Sequence, residues 1–260
     1  MEAYTDFAEL YDLFMENTPY SEWCEIFCSI LKEYDIEDGL VAELGCGTGT
    51  MTKLMAERGF DLIGIDSSIE MLEIARAKEE RTDILYLLQD MREFELYGTV
   101  RSIISVCDSM NYILTEEELK TVFSLVNNYL DPGGIFLFDM NTPYKYREVL
   151  GEEVFAENLP SASFIWENDF DEETGINQYD VTFFKQHENG WYRKFEETHL
   201  QRCYEIEQVI SLLKESGLKF ERAFDLDTGD ELKETTQRVC FVAREKDKAD
   251  ILQKNKKQEE

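Results

Sequence analysis

The segment Val41-Ala42-Glu43-Leu44-Gly45-Cys46-Gly47-Thr48-Gly49 is an apolar strand pattern that runs directly into three glycines at alternate positions. An amphipathic helix pattern follows over 51–58. Glycine permits sharp turns and lets a ligand approach peptide N–H groups without a Cβ in the way. The N-terminus of the following helix adds the positive end of its dipole. The segment therefore predicts a ligand-binding loop at the carboxyl end of a first parallel strand.

Strand and helix patterns alternate on the C-terminal side of this loop. Short apolar runs predict buried strands, and longer runs with a period near 3.6 predict helices. The predicted strands are 40–44, 62–65, 84–88, 103–107 and 135–138, and the predicted helices are 51–58, 69–78 and 116–130. This alternation is typical of a parallel sheet with helices on both faces. We therefore predict an α/β fold with a doubly wound, mostly parallel sheet.

The pattern changes on both sides of this core. Two amphipathic helix patterns, separated by Pro19, come before it, and strands with hairpin turns come after it. Strand patterns lie at 164–166, 178–184, 191–195 and 198–204, with turns at 171–175 and 187–190. The predicted parts are N-terminal helices (1–38), a ligand-binding core (39–145), an antiparallel β insertion (146–204), the completion of the core sheet (205–245) and a polar tail (246–260).

The amino-acid composition limits the kinds of molecule that this protein is expected to bind. The 260 residues carry a net charge of −30, and such a surface repels phosphate backbones and anionic lipids. No apolar run approaches the ~18 residues of a membrane span, and the N-terminus lacks the features of a signal peptide. With six cysteines, no Cys-x-x-Cys pair and two histidines, we expect no metal site and the reduced thiols of a cytoplasmic protein.

Glu43 and Thr50 bear on the class of ligand that the glycine loop holds. A dinucleotide fingerprint, G-x-G-x-x-G, requires glycine at position 50, where this chain has threonine. A diphosphate beside the Glu43 carboxylate would be repelled, whereas a ligand with an ammonium and a sulfonium would be attracted. S-adenosylmethionine (SAM) carries both groups, and its product S-adenosylhomocysteine (SAH) keeps the ammonium. The pattern favours SAM over NAD, and a turn without a ligand is the alternative.

Polar residues follow the next two predicted strands. Asp66 ends the second strand, where a carboxylate is placed to accept both hydroxyls of a ribose. A helix N-cap formed by Asp66, Ser67 or Ser68 is an alternative that is compatible with ribose binding. Asp90 and Met91 follow the third strand, where the acid can accept an adenine amine and the methionine can pack on the ring. The alternative for Asp90 is an acid of a surface loop.

Residues 40–140 resemble the class I SAM-dependent methyltransferases. The motifs that carry the resemblance are 43–49, Gly64-Ile65-Asp66, Gln89-Asp90-Met91, Cys107-Asp108-Ser109-Met110-Asn111-Tyr112 and Asp131-Pro132-Gly133-Gly134. The resemblance implies a Rossmann-like sheet of seven strands, with SAM as cofactor. It also implies that Gly45, Cys46 and Gly47 lie along the methionine part of SAM, Asp66 and Ser67 at the ribose, Asp90 and Met91 at the adenine, and the main chain near Cys107 at the amino group.

The chain is most similar to small bacterial methyltransferases with a β insertion before the last helix. Glycine, sarcosine and sugar-amine N-methyltransferases have this layout. Because N-terminal helices cover the cofactor in that subgroup, the resemblance implies that Tyr11 and Trp23 are lid residues. Ordinary core aromatics of amphipathic helices are the alternative for both.

No single catalytic residue stands out in the sequence. Methyl transfer from a sulfonium is an in-line displacement, which an enzyme can promote by positioning and by excluding water. The polar candidates for the acceptor site are Tyr112, Asp139, Asn141, His199 and Arg202. His199 and Arg202 lie three residues apart, so a regular strand directs them to opposite faces unless a bulge intervenes.

We expect a SAM-dependent methyltransferase that acts on a small molecule. The twelve acidic residues of 151–200, against three basic ones, suggest an amine acceptor. The alternatives are a SAM-binding regulatory or interaction module without turnover, and a methyltransferase of a macromolecule. An enzyme should leave a closed acceptor cavity that faces the methyl group, whereas a binding module would have this cavity filled. Nothing in the sequence specifies the oligomeric state.

Overall fold

The computed structural model describes residues 8–78, 83–187, 189–246 and 248. The helices are α1 (Ala8–Phe14), α2 (Tyr20–Glu33), α3 (Thr50–Glu57), α4 (Ile69–Lys78), α5 (Glu116–Tyr129) and α6 (Ile206–Glu215). The strands are β1 (Gly39–Leu44), β2 (Phe60–Asp66), β3 (Leu85–Leu88), β4 (Val100–Ser105), β5 (Leu130–Asn141), β6 (Val154–Asn158), β7 (Ala162–Asp171), β8 (Ile176–Gln186), β9 (Tyr192–Arg202), β10 (Leu218–Asp225) and β11 (Arg238–Glu245). None of the described helices has the length and apolar character needed to cross a bilayer.

Seven strands form the central sheet in the order β10-β11-β5-β4-β1-β2-β3. β1 pairs in parallel with β2 and with β4, so it lies inside the sheet. β11 pairs antiparallel with both β5 and β10, and every other pair is parallel. The predicted doubly wound, mostly parallel α/β sheet of seven strands is confirmed. The carboxyl ends of β1, β2, β4 and β5 meet at one edge of this sheet.

The central strands are apolar along their length because helices cover both faces of the sheet. Phe123 of α5 and Leu213 of α6 belong to the fully buried cluster on one face. Phe27 of α2 and Met55 of α3 belong to the buried cluster on the other face. This packing fixes the strand ends at which the predicted site residues lie.

A second sheet, β6-β7-β8-β9, is antiparallel throughout and follows β5, as predicted for the insertion. The first helix packs on it: the Phe14 ring meets the Phe164 ring edge-on, with 4.8 Å between centroids. The sequence patterns missed β6, whose residues are all exposed or half-buried. They also divided β9 in two at Glu196–Glu197, although that strand pairs with β8 without interruption.

The start of β5 differs from the prediction. The predicted strand was 135–138, but β5 already begins at Leu130, which pairs with Val100. The pairing register shifts between Val100 and Ser102, where Arg101 alone stands opposite residues 131–134 of β5. A Cβ at Gly134 would lie 2.9 Å from the Arg101 carbonyl oxygen, so glycine is needed for this close approach. Except for Lys246 and Lys248, the predicted polar tail lies outside the described residues.

Candidate cofactor and acceptor sites

The loop between β1 and α3 adopts backbone conformations that favour glycine. Gly45, Gly47 and Gly49 have φ values of 71°, 53° and 77°. The Gly45 N–H donates to the Ile65 carbonyl at 2.8 Å, which attaches the loop to the end of β2. A Cβ added at Gly47 would meet nothing within 4 Å. The loop therefore forms a cradle that a side chain at position 47 would fill.

Asp66 at the end of β2 connects the glycine loop to helix α4. Its Oδ2 accepts from the Gly47 N–H and its Oδ1 from the Ser68 N–H, both at 2.8 Å. The Ser68 hydroxyl oxygen in turn accepts from the Met71 N–H at 3.1 Å. Burial raises the pKa of Asp66, and the backbone N–H donors oppose that shift. Asp66 and Ser68 thus cap the N-terminus of α4. Asp66 also borders a cavity next to the glycine loop.

A cavity of about 600 Å³ lies above this loop. Ten of the eleven residues predicted to contact the cofactor border it: Tyr11, Glu43, Gly45, Cys46, Gly47, Asp66, Ser67, Asp90, Met91 and Cys107. The open position above Gly47 and the ring of carboxylate and backbone N–H groups fit an adenosyl ligand that carries an ammonium. We refer to this space as the cofactor cavity.

Trp23 is the predicted cofactor residue that does not border the cofactor cavity. Its ring is buried on the inner face of α2, and the Arg238 guanidinium lies 5.1 Å from it. Tyr20, one turn earlier, borders the cavity instead. The Cys107 thiol donates to the Tyr20 hydroxyl at 3.1 Å, and the Tyr11 and Tyr20 hydroxyls are 3.3 Å apart. Trp23 is therefore a core aromatic, and Tyr20 escaped the sequence patterns because no motif marks it.

Helix α1 is attached directly to the glycine loop. The Thr48 hydroxyl donates to the Asp12 carboxylate at 2.6 Å, and Lys78 of α4 forms an ion pair with Asp12 at 2.6 Å. These contacts hold Tyr11 at the cavity wall. Among the described residues of α1, Tyr11 is the one that borders the cofactor cavity.

Glu43 is 1% exposed and accepts a hydrogen bond from the Thr52 hydroxyl. Burial and the Asp66 charge raise its pKa to about 8, against the opposing hydrogen bonds from Thr52. The uncharged form of the carboxyl group is thus favoured more than in a free glutamate, so its charge is smaller than the sequence argument assumed. A cation placed nearby would favour the ionised form.

Asp90 lies at the edge of the cofactor cavity beside Met91. Arg92 donates to both of its oxygens, with 2.6 Å between Nη2 and Oδ2, and lowers the pKa of the carboxyl group. Arg92 also pairs with Glu118 at 2.9 Å. Asp90 is therefore a fixed carboxylate at the position predicted for an adenine contact.

A second cavity, of about 250 Å³, lies between the ends of β4 and β5, helix α1 and the inner face of the insertion sheet. It shares Tyr11, Cys107 and Tyr112 with the cofactor cavity. Its aromatic wall consists of Tyr11, Phe14, Tyr112, Phe164, Trp166, Tyr179 and Phe183, and its polar residues are Asp108, Asn141, Lys145, His199, Gln201 and Arg238. We refer to it as the acceptor cavity.

Three of the five predicted acceptor residues, Tyr112, Asn141 and His199, border the acceptor cavity. The Tyr112 hydroxyl lies 3.5 Å from His199 Nδ1, and Glu197 lies 3.3 Å from Nε2. Arg202 does not border the cavity; it donates to the Leu114 carbonyl at 2.9 Å. His199 and Arg202 thus occupy opposite faces of β9, as the strand period requires, because no bulge interrupts the pairing with β8.

Asp139, the remaining candidate, is fully buried behind Arg238 rather than at the cavity wall. Arg238 pairs with both Asp139 and Asp108, with 2.8 Å between Nη2 and the nearer Asp108 oxygen. The other Asp108 oxygen accepts from Gln201 at 2.6 Å. Burial would raise the pKa of Asp108, but Arg238, Lys145 and Gln201 outweigh burial, and the net shift is downward.

The comparisons with known proteins agree with this geometry. A family model described as a methyltransferase domain matches residues 41–134. A Bacillus subtilis (strain 168) protein named "Putative methyltransferase YqeM" is 34% identical over 243 residues, which cover 93% of this chain and 96% of that protein. An S-adenosylmethionine-dependent methyltransferase of Clostridium acetobutylicum ATCC 824 has a crystal structure that matches with a TM-score of 0.84 and 27% identity, covering 94% and 100% of the two chains.

A more distant relative has a named substrate. The dTDP-3-amino-3,4,6-trideoxy-alpha-D-glucopyranose N,N-dimethyltransferase of Streptomyces venezuelae is 26% identical over 162 residues, which cover 62% of this chain and 64% of that enzyme. The near-complete overlap with the B. subtilis relative, the matching domain and the glycine cradle together identify the family. The chain belongs to the class I SAM-dependent methyltransferases, and SAM is its cofactor.

Proposed function

We propose that this chain transfers the methyl group of SAM to a small molecule that enters the acceptor cavity. The observation that carries the proposal is the contact between the two cavities, which share Tyr11, Cys107 and Tyr112. A binding module without turnover would not need open space on the acceptor side. The substrate named for the S. venezuelae relative, an amino sugar, supports a small-molecule acceptor.

The roles proposed for the cofactor residues follow their positions around the cavity. The Gly45–Gly47 turn and the main chain near Cys107 hold the methionine part, Asp66 the ribose, and Asp90 with Met91 the adenine. SAM supplies an electrophilic methyl group on a sulfonium. The chain itself positions the acceptor and excludes water with the aromatic wall, helix α1 and the insertion sheet.

Replacing Asp66 tests the cofactor assignment. We expect Asp66→Ala to weaken SAM binding by ~1–3 kcal/mol, because charge-assisted hydrogen bonds are lost and the carboxylate no longer fixes the loop through Gly47. Asp61→Ala, at an exposed position of the same strand, should leave the affinity unchanged. Isothermal titration with SAM measures both variants. An unaltered dissociation constant for Asp66→Ala would contradict the assignment.

The proposal also includes a route for the acceptor's proton. An amine or hydroxyl acceptor must lose a proton, and a positioned base speeds that loss. Tyr112, at the wall between the cavities, takes the proton as its own hydroxyl proton passes to His199 Nδ1. Glu197 lies 3.3 Å from Nε2, where its carboxylate favours the tautomer that carries the proton on Nε2 and accepts at Nδ1.

The tautomer is directly measurable because the chain has only two histidines. We expect ¹⁵N spectra of the neutral imidazoles to show the proton of His199 on Nε2, since Glu197 faces that nitrogen. His187, in the hairpin turn that follows β8, provides an internal comparison. Glu197→Gln should shift the His199 signals and leave those of His187 in place. A proton found on Nδ1 of His199 would contradict the relay.

Methyl-labelled SAM and a fractionated bacterial metabolite extract test the proposed function as a whole. We expect label to appear in a small-molecule fraction with the wild-type chain and, at SAM concentrations below the weakened dissociation constant, far less label with Asp66→Ala. Label in the macromolecular fraction would support a macromolecular acceptor instead. Tight SAM binding with no transfer to any fraction would support a regulatory module.

A further inference from the structure

Lys145 is a cation in the acceptor cavity that sequence reasoning did not single out. It follows β5 and begins a short π-helical turn, Lys145–Leu150, whose first N–H donates to the Thr142 hydroxyl. Its ammonium donates to the Asn141 side-chain carbonyl at 2.9 Å, and Asn141 is neutral. No carboxylate of the described residues forms an ion pair with it. Among the described residues, the ammonium therefore faces the cavity with no carboxylate at ion-pair distance.

The charges around Lys145 do not supply that counter-ion. Burial and the Arg238 charge lower its pKa to about 8, and the carboxylates of Asp108, Asp139 and Asp227 only partly oppose the shift. Both oxygens of Asp108 already accept hydrogen bonds, one from Arg238 and one from Gln201. Asp139 is paired with Arg238 behind the wall. The Lys145 ammonium, for which the described residues show one hydrogen bond, to Asn141, therefore keeps donor capacity for a ligand.

None of the acidic residues of the insertion borders the cavity, although Glu197 lies 3.3 Å from Nε2 of the wall residue His199. The residues that β7, β8 and β9 contribute to its wall are Phe164, Trp166, Tyr179, Val181, Phe183, His199 and Gln201, and none of them is acidic. The excess of acidic residues in the segment 151–200 therefore does not attract a cation into the cavity itself. An incoming ammonium would meet carboxylates that are already engaged, whereas a carboxylate would meet an available donor.

We propose that the acceptor is a small carboxylic acid with an aromatic or branched apolar body, whose carboxylate binds the Lys145 ammonium. The body would pack on Phe14, Phe164, Trp166 and Phe183 within about 250 Å³. This inference rests on the proposed function, since it concerns the substrate of the same site. It leaves open which atom is methylated: an amino acid, for example, has both a carboxylate and an amine.

Simple probes test the charge preference without the natural acceptor. We would titrate the full chain, saturated with SAH, with benzoate, benzylamine and benzyl alcohol by NMR. We expect benzoate to bind at least tenfold more tightly than benzylamine or benzyl alcohol. Lys145→Met and Lys145→Gln should each weaken benzoate binding at least tenfold and leave SAH binding unchanged. Lys233→Met, at an exposed ion pair with Asp230, serves as the matched control.

Each outcome supports or overturns the inference. Benzylamine or benzyl alcohol binding as tightly as benzoate, benzoate binding that survives both Lys145 substitutions, or no benzoate binding at millimolar concentrations would overturn it. The SAH titration keeps the two proposals separate. Failure to bind SAH would refute the proposed function, whereas normal SAH binding with a preference for benzylamine would refute only the carboxylate inference.

Discussion

We expect Gly47→Val to abolish SAM binding. The backbone at Gly47 has φ of 53°, and its Cβ position faces the open space of the cofactor cavity. A valine side chain would occupy the volume in which the methionine part of the cofactor is proposed to lie. β-Branched residues also adopt this left-handed conformation only with strain. Isothermal titration with SAM and with SAH should therefore detect no binding.

Gly59 offers a matched control for the backbone strain. It has φ of 99°, a Cβ there would also meet nothing within 4 Å, and it lies in the turn between α3 and β2, away from the cofactor cavity. Gly59→Val should lower the melting temperature through similar strain but retain SAM affinity. A Gly47→Val chain that still binds SAM would show that the cofactor lies elsewhere.

The second large effect concerns stability. We expect Arg238→Met to destabilise the fold by about 3–5 kcal/mol, because breaking a buried ion pair leaves uncompensated charge in a poorly solvated place. The Arg238 side chain is 10% exposed and pairs with two carboxylates, of which Asp139 is fully buried. Urea denaturation with an unchanged m-value would report the loss.

Arg222 provides the surface comparison. Its pair with Glu33 is 2.8 Å long, but the side chains are 43% and 48% exposed, so Arg222→Met should cost only about 0–1 kcal/mol. Adding Asp139→Asn to Arg238→Met should recover part of the lost stability by removing one unpaired charge. An Arg238→Met chain within 1 kcal/mol of wild type would mean that the network carries little net stability.

The parts of the site that follow from local sequence were predictable. A buried strand that ends in glycines fixes a loop, and Asp66 ends the neighbouring strand, so adjacent strands had to bring the two together. His199 and Arg202 show the same logic: the strand period alone placed them on opposite faces. Such inferences need only the chain around a residue and the order of the strands.

The buried ion pairs of Arg238 with Asp108 and Asp139 could not be predicted in this way. Arg238 and Asp108 are 130 residues apart, and their pairing depends on an antiparallel last strand returning beside β5. The acidic composition of the insertion does not describe the acceptor cavity for a related reason. Composition counts charges but does not say which face of a sheet carries them, and the face that borders the acceptor cavity carries aromatic side chains.

Trp166 in that aromatic wall gives the protein an intrinsic fluorescent reporter. The chain has three tryptophans; Trp23 is buried in the core and Trp191 is 76% exposed, which leaves Trp166 at the acceptor cavity. Indole emission responds to the polarity and quenching groups around the ring. A compound library can therefore be screened optically, without a label and before any turnover assay exists, for molecules that displace water from this ring.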